Sequence, residues 1–267
     1  MERIYFTGDI HGEFKMFMYT VLKRYELKNC HIIVCGDIGL GFYKLNYYID
    51  MFNKMNKAFK RANINVYFVR GNHDDPSYFN NTPKELKYFS RVHIVQDYTV
   101  LHINNHNILC VGGAVSTDRY QRTKDIDWWE FEDVLPYEKL DYRNIDTVVT
   151  HAAPLFCNPS YKELPRLDFD LNAQAFNSRN RLAKMYFDLI ENNKLMFWFY
   201  GHYHESYSCE LSNNASDFSD TDLYFLMNGS VLENEKHGPE TRDVCTFIGL
   251  DMLEKNDMDL FMLYEKL

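Results

Sequence analysis

The chain has 267 residues, 46% of them hydrophobic and 16% aromatic, which is material for one large α/β domain or two small ones with a substantial core. Its net charge of −9 argues against a broad basic surface for holding nucleic acid, though not against a nucleotide held at one spot. The six cysteines include no C-x-x-C pair, no apolar run reaches membrane-spanning length, and MERIYF lacks a charged-then-apolar leader, so a reducing, cytoplasmic setting is expected.

In chain order, strands are predicted at 4–8, 31–36, 65–70, 93–96, 98–103, 107–113, 146–151, 195–201, 222–229 and 244–251. The early ones are nearly continuous apolar runs, as expected of strands covered on both faces. Helical stripes lie between them. Phe14, Phe17, Val21 and Tyr25 step by three or four residues, as do Tyr48, Phe52, Met55, Phe59 and Ala62, and later Leu182, Met185 and Leu189. The order β-α-β-α-β, then several strands without helices, then β-helix-β, predicts two sheets packed face to face with helices outside. The polar stretch 154–180, with Pro159 and Pro165, reads as a loop or cap over something. No internal repeat or low-complexity linker divides the chain, and a single domain over 1–267 is expected.

The chemistry sits just beyond the strands. The run VYFVRGNHDD, from Val66 to Asp75, drives four β-forming residues into Gly, Asn, His and two carboxylates. A turn accounts for the Gly and Asn, but not for the His and acids. The same pattern recurs. Strand 4–8 leads to Asp9 and His11 in GDIHG, strand 31–36 to Asp37 in GDIGLG, strand 65–70 to Asn72, His73 and Asp74, strand 146–151 to His151 in THAAP, and strand 195–201 to His202 and His204 in GHYH. Parallel strands would bring these ends to one edge of a sheet. The seven groups Asp9, His11, Asp37, Asn72, His151, His202 and His204 offer imidazole nitrogens and oxygens but no thiolate. That mixture suits manganese, iron or zinc better than an oxygen-only site. His31, His93, His102, His106 and His237 lack such context and read as ordinary, and Cys157 reads as packing.

GDIHG, GD, GNHD, a lone His after a strand, and GHYH together resemble the five blocks of the calcineurin-like metallophosphoesterase superfamily, and NGS at 228–230 resembles a further family feature. The resemblance implies a four-layer α/β/β/α sandwich with two mixed sheets, and two divalent metal ions, manganese before iron or zinc. It implies that Asp9, His11, Asp37 and His204 hold one ion and that Asp37, Asn72, His151 and His202 hold the other. It further implies that His73 contacts the phosphate and protonates the leaving oxygen, with Asp74 orienting the ring. The phosphoprotein phosphatase branch follows its second block with an Arg that clamps phosphate, whereas here Asp37 precedes Ile-Gly-Leu-Gly-Phe. A GGA-S-DR-R-WW segment at 112–133 is similar to one in small bacterial and phage members. In it Arg119 or Arg122 is expected to replace the missing clamp, with Trp128 and Trp129 packing a second cap loop onto the core.

The expectation is a binuclear metal-dependent phosphoesterase that cleaves a phosphate mono- or diester by attack of a metal-bound hydroxide. The substrate is a phosphorylated small molecule, a nucleotide or a phosphoprotein, with no membrane partner. A nuclease, or a non-catalytic metal-binding scaffold, are the alternatives.

Overall fold

The computed structural model describes residues 2–138, 141–157, 169–214, 244–253 and 261–263. Its architecture follows from alternation in the strands. In β1 (Arg3–Thr7), Ile4 and Phe6 face one way and Tyr5 the other; in β2 (Cys30–Val34), Ile33 opposes Ile32 and Val34; in β3 (Ile64–Phe68), Tyr67 opposes Val66 and Phe68. The apolar residues on both faces of these strands pack against an apolar cluster, so the runs read as nearly continuous rather than alternating.

The first sheet has the order β11-β1-β2-β3-β4, where β4 is Val92–Ile94 and β11 is Phe261–Leu263. Strands β1 to β4 are parallel and β11 is antiparallel to β1. The second sheet has the order β5-β6-β7-β8-β10-β9. Its strands are β5 (Thr99–Ile103), β6 (His106–Val111), β7 (Thr147–Thr150), β8 (Phe197–Tyr200), β9 (Tyr207–Ser212) and β10 (Val244–Gly249). Here β6, β7, β8 and β10 run parallel, with β5 and β9 antiparallel at the edges.

The sheets pack through Phe6, Ile33, Cys35, Cys110, Val149 and Phe199, with the Phe6 and Phe199 rings stacked 3.8 Å apart. Outside the first sheet lie α1 (Phe14–Tyr19), which continues as a π-helical turn to Arg24, and α2 (Leu45–Ala62). Helix α2 buries Tyr48, Met51, Phe52, Met55 and Phe59 along one face, and ends on Asn63 in the left-handed conformation with Lys60 and Arg61 in its last turn. Two single-turn helices, α3 (Ser77–Asn80) and α4 (Lys84–Lys87), follow β3. Outside the second sheet lies α5 (Phe169–Ile190), packed through Leu182, Met185, Tyr186 and Leu189 onto Trp198 and Phe247. This is the four-layer α/β/β/α sandwich with two mixed sheets.

Two differences from the sequence reading have physical causes. The stretch 154–180 is not loop throughout: from Phe169 onward it is helix α5. Its buried positions Leu171, Ala175, Ser178 and Leu182 step at helical spacing, but the small Ala and polar Ser in the middle weaken the apolar stripe, and packing decides the conformation. Strand β9 lies at a sheet edge, where one-sided burial leaves no continuous apolar run in YSCELS, whereas β11, at the other sheet's edge, falls in the apolar run LFMLY at 260–264 that the strand reading did not include. The strand expected at 222–229 and the NGS motif lie outside the described residues, as does His237.

Candidate metal centre

The loops leaving β1, β2, β3, β7 and β8 bring the sequence-predicted residues to one edge. Asp9, His11, Asp37 and His204 offer donor atoms that all lie within 4.8 Å of one another. His204 Nε2 is 3.1 Å from Asp9 Oδ2 and 3.1 Å from His11 Nε2, and His11 Nε2 is 3.8 Å from Asp37 Oδ2. On the other side of Asp37, its Oδ1 is 3.2 Å from His151 Nε2, which is 2.9 Å from Asn72 Oδ1. The His202 ring stands edge-on to His151 at 5.0 Å, and its backbone N–H donates to the Asp9 carboxylate at 3.2 Å.

Local backbone makes this crowding possible. His11, Asp37, His202 and His204 all have positive φ, between 42° and 72°, a conformation that short polar residues tolerate and that surrounding contacts must hold. Gly36 has φ +104°, and a Cβ there would lie 2.1 Å from His151 Nδ1. A Cβ on Gly71 would lie 2.0 Å from Asp37 Oδ1. The glycines before Asp37, Asn72 and His202 are therefore where another candidate donor passes.

The electrostatics call for a cation. Asp9 and Asp37 are buried, and their close ionic partners among the described residues are imidazoles. Burial works to raise the Asp37 carboxyl, but His151, His73 and His11 outweigh it and hold it well below the usual range. His151 Nδ1 lies 2.7 Å from the Cys35 carbonyl, an acceptor only, so Nδ1 carries the proton and donates. Nε2 then faces Asn72 Oδ1 and Asp37 Oδ1, three acceptors around one point. In the metal-free protein a second proton fills that point. Burial opposes it, but Asp37 and Asp9 push the His151 ring up to about 9. Burial and His151 hold His202 well below its ordinary value, so its lone pair is free to ligate. First-row divalent ions take nitrogen and oxygen at about 2.0–2.2 Å, which sets neighbouring donors roughly 3–3.5 Å apart. The donor set fits such ions.

His73 reaches the same centre, its Nε2 3.9 Å from Asp37 Oδ2 and its backbone N–H donating to Asp37 Oδ1 at 2.8 Å. Burial lowers its pKa, partly offset by Asp37. Asp74 requires a correction, because it does not orient the His73 ring. Its carboxylate accepts backbone N–H groups from Ile38 (3.1 Å), Gly39 (2.7 Å), Leu40 (2.8 Å) and Gly71 (2.8 Å). A carboxylate surrounded by unpaired loop N–H groups satisfies them before it can turn to a ring one residue away. Burial and Asp37 push that carboxyl up to about 6, against the pull of those donors. Tyr48 completes this latch. Its hydroxyl donates to Gly39 O and accepts from the N–H groups of Gly41 and Tyr43, so α2 helps fix the loop that carries Asp37.

The two arginines of the 112–133 loop have separate fates. Arg119 pairs with buried Glu132 at 3.1 Å and lies over Trp128. Arg122 holds Asp118 through Nε at 2.8 Å, and its charge is felt at both Asp37 and His73. The loop folds back toward the metal side, with Trp129 stacked on Phe42 and packed where a Gly41 side chain would stand. Its base is pinned by Arg70, which sequence reasoning missed. Arg70 is fully buried, pairs with Asp97 at 2.9 Å and donates to the carbonyls of Gly112, Glu132 and Asp133. An Arg ending an apolar strand was the available signal, since such a charge needs a buried partner. Nothing in the sequence singled out Ser116 or Glu132. The other described histidines have local partners, such as Glu2 for His31 and Asp146 for His106.

A sandwich with its donor-bearing loops gathered at one edge is the metallophosphoesterase fold. The sequence matches the calcineurin-like phosphoesterases over residues 2–206, and the chain belongs to that family, which implies divalent metal ions. Among solved structures it is similar to a cold-active protein-tyrosine phosphatase of a psychrophilic Shewanella, at 17% identity over 46% of this chain and 45% of that one, TM-score 0.26. It is also similar to a protein serine/threonine phosphatase from Saccharomyces cerevisiae with similarity to human phosphatase PP5, at 15% identity over 75% of this chain and 61% of that one, TM-score 0.26. A third structure aligns at 12% identity over 75% of this chain and 84% of its own length, TM-score 0.42. The chain spans less than two thirds of either named phosphatase. No curated protein matches it. Among the described residues, no helix is long and apolar enough to cross a membrane.

Proposed function

We propose that the protein is a binuclear metal-dependent phosphoesterase acting on a phosphate mono- or diester. The observation that carries this is the position of Asp37, whose two carboxylate oxygens face separate donor sets, His11 at 3.8 Å and His151 at 3.2 Å. One cation would be held by Asp9, His11, Asp37 and His204, the other by Asp37, Asn72, His151 and His202. The two ions, when bound, supply Lewis acidity that neutralises phosphoryl charge and acidifies water toward neutral pH. Manganese suits this nitrogen and oxygen set, as do iron and zinc.

The chain's own residues do the rest. His151 donates to Cys35 and so keeps its ligating nitrogen aimed inward. His73 exchanges a proton with the leaving oxygen. Burial holds its pKa below the ordinary value, and an arriving phosphate adds the negative charge that favours the protonated form. Arg122 binds a phosphate oxygen. Its charge is felt at Asp37 and His73, and its own partner, Asp118, is a half-exposed carboxylate, whereas the Glu132 that holds Arg119 is buried.

The test is hydrolysis of p-nitrophenyl phosphate and bis-p-nitrophenyl phosphate side by side, with manganese, with chelator, and with Asp37→Asn as control. Manganese-dependent cleavage of either ester is expected, and the preferred ester sorts phosphatase from phosphodiesterase. Two bound metals with no cleavage of either would replace this reading with that of a non-catalytic scaffold.

A further inference from the structure

A cation at the second position needs the oxygen of the Asn72 amide, not its N–H groups, and the amide has two orientations of nearly equal shape. Proton counting behind it selects one. Asn72 Nδ2 donates to Ser116 Oγ at 2.9 Å. Ser116 has a single hydroxyl proton, and a short hydrogen bond gives that proton to Glu132 Oε2. The Ser116 backbone N–H donates to the other Glu132 oxygen at 2.9 Å. Both donors of Ser116 are spent on one carboxylate, so its oxygen presents only lone pairs to Asn72. An amide oxygen turned there would meet an acceptor, whereas the amide N–H meets a partner. The second amide hydrogen faces His73 Nε2 at 3.2 Å.

Asn72, Ser116 and Glu132 are each about 1% exposed, so water cannot stand in for any of these bonds. Arg119, at 3.1 Å from Glu132, supplies the charge that lets a buried carboxylate remain an acceptor.

We infer that Ser116 and Glu132, backed by Arg119, are positioning residues that set the Asn72 amide with its oxygen toward the second cation. This rests on the two-cation reading above. Arg119 then serves as a counter-ion within the protein rather than as a phosphate clamp, which leaves that task to Arg122.

Manganese titration of the metal-stripped protein, followed by electron paramagnetic resonance, reads the two sites separately from any activity. Ser116→Ala is expected to weaken the second manganese by about 10–100-fold, the usual effect of losing a partner of a metal ligand, with the first unchanged. Ser116→Thr, which keeps the hydroxyl, is expected to restore it. In Asn72→Asp the two oxygens are equivalent and orientation no longer matters, so adding Ser116→Ala should weaken the second site no further. Wild-type protein that takes up fewer than two manganese ions would overturn the two-cation reading itself. Wild type with two ions, and Ser116→Ala binding both as tightly or weakening both equally, would overturn only the orienting role.

Discussion

The two sides of the centre are built differently. On one side His11 and His204 have side chains 22% and 39% exposed, and among the described residues their inward nitrogens meet each other and the carboxylates of Asp9 and Asp37. On the other side His151 and Asn72 are buried, and each has a protein partner on its non-ligating atom, the Cys35 carbonyl and the Ser116 hydroxyl. A ligand with an outer partner holds its geometry in the absence of metal; one without depends on the metal to hold it. The difference predicts a buried position that is preorganised and an open position that its own cation completes, with Asp37 common to both.

The harshest test of that division is the shared carboxylate. Asp37→Asn should remove both metals and cut kcat/KM by roughly 10³-fold or more, since several kcal/mol of transition-state stabilisation go with the metals. Retention of one tightly bound ion would show that the two sides do not depend on a common ligand. His73→Ala should lower kcat by roughly 10²–10⁴-fold while both metals stay bound, as expected for loss of a proton-transfer group. Loss of metal in that variant would make His73 a ligand and redraw the buried side.

Stability separates the two sides directly. In metal-stripped protein, His151→Ala should cost about 2–4 kcal/mol in a urea melt, because it opens a cavity between the sheets and leaves the Cys35 carbonyl unsatisfied. His204→Ala, at an exposed position, should cost about 0.5 kcal/mol or less. Equal costs would erase the contrast. The smallest effect expected is on substrate binding: Arg122→Ala should raise KM about tenfold with metal content unchanged, the loss of one charge-assisted contact.

The legibility of the site follows its covalent spacing. Asp9 and His11, Asn72 and His73, and His202 and His204 are close neighbours in the chain, each placed directly after a run of buried β-formers. A strand end fixes where such residues must emerge, so the motifs reveal both the ligand types and the edge they share. Asp74 also follows a strand end, but which atoms its carboxylate would meet could not be read, because the competing N–H groups come from residues 38–40. The same applies to Arg119 and Arg122. Three positions apart on one loop, they face different partners, one turned to Glu132 and one to Asp118.

By itself the sequence determined the layered α/β/β/α class, the strands that carry the site, and the Asp, Asn and His residues that gather at its edge. These depend on local periodicity and on short-range order along the chain. Only the tertiary structure decided that residues 169–180 are helical, that Arg70 pins the 112–133 loop, that Asp74 is a latch, and that Ser116 and Glu132 stand behind Asn72. The physical reason is the same in each case. A buried polar group takes whichever partner the packed fold brings to it, and that partner can come from anywhere along the chain.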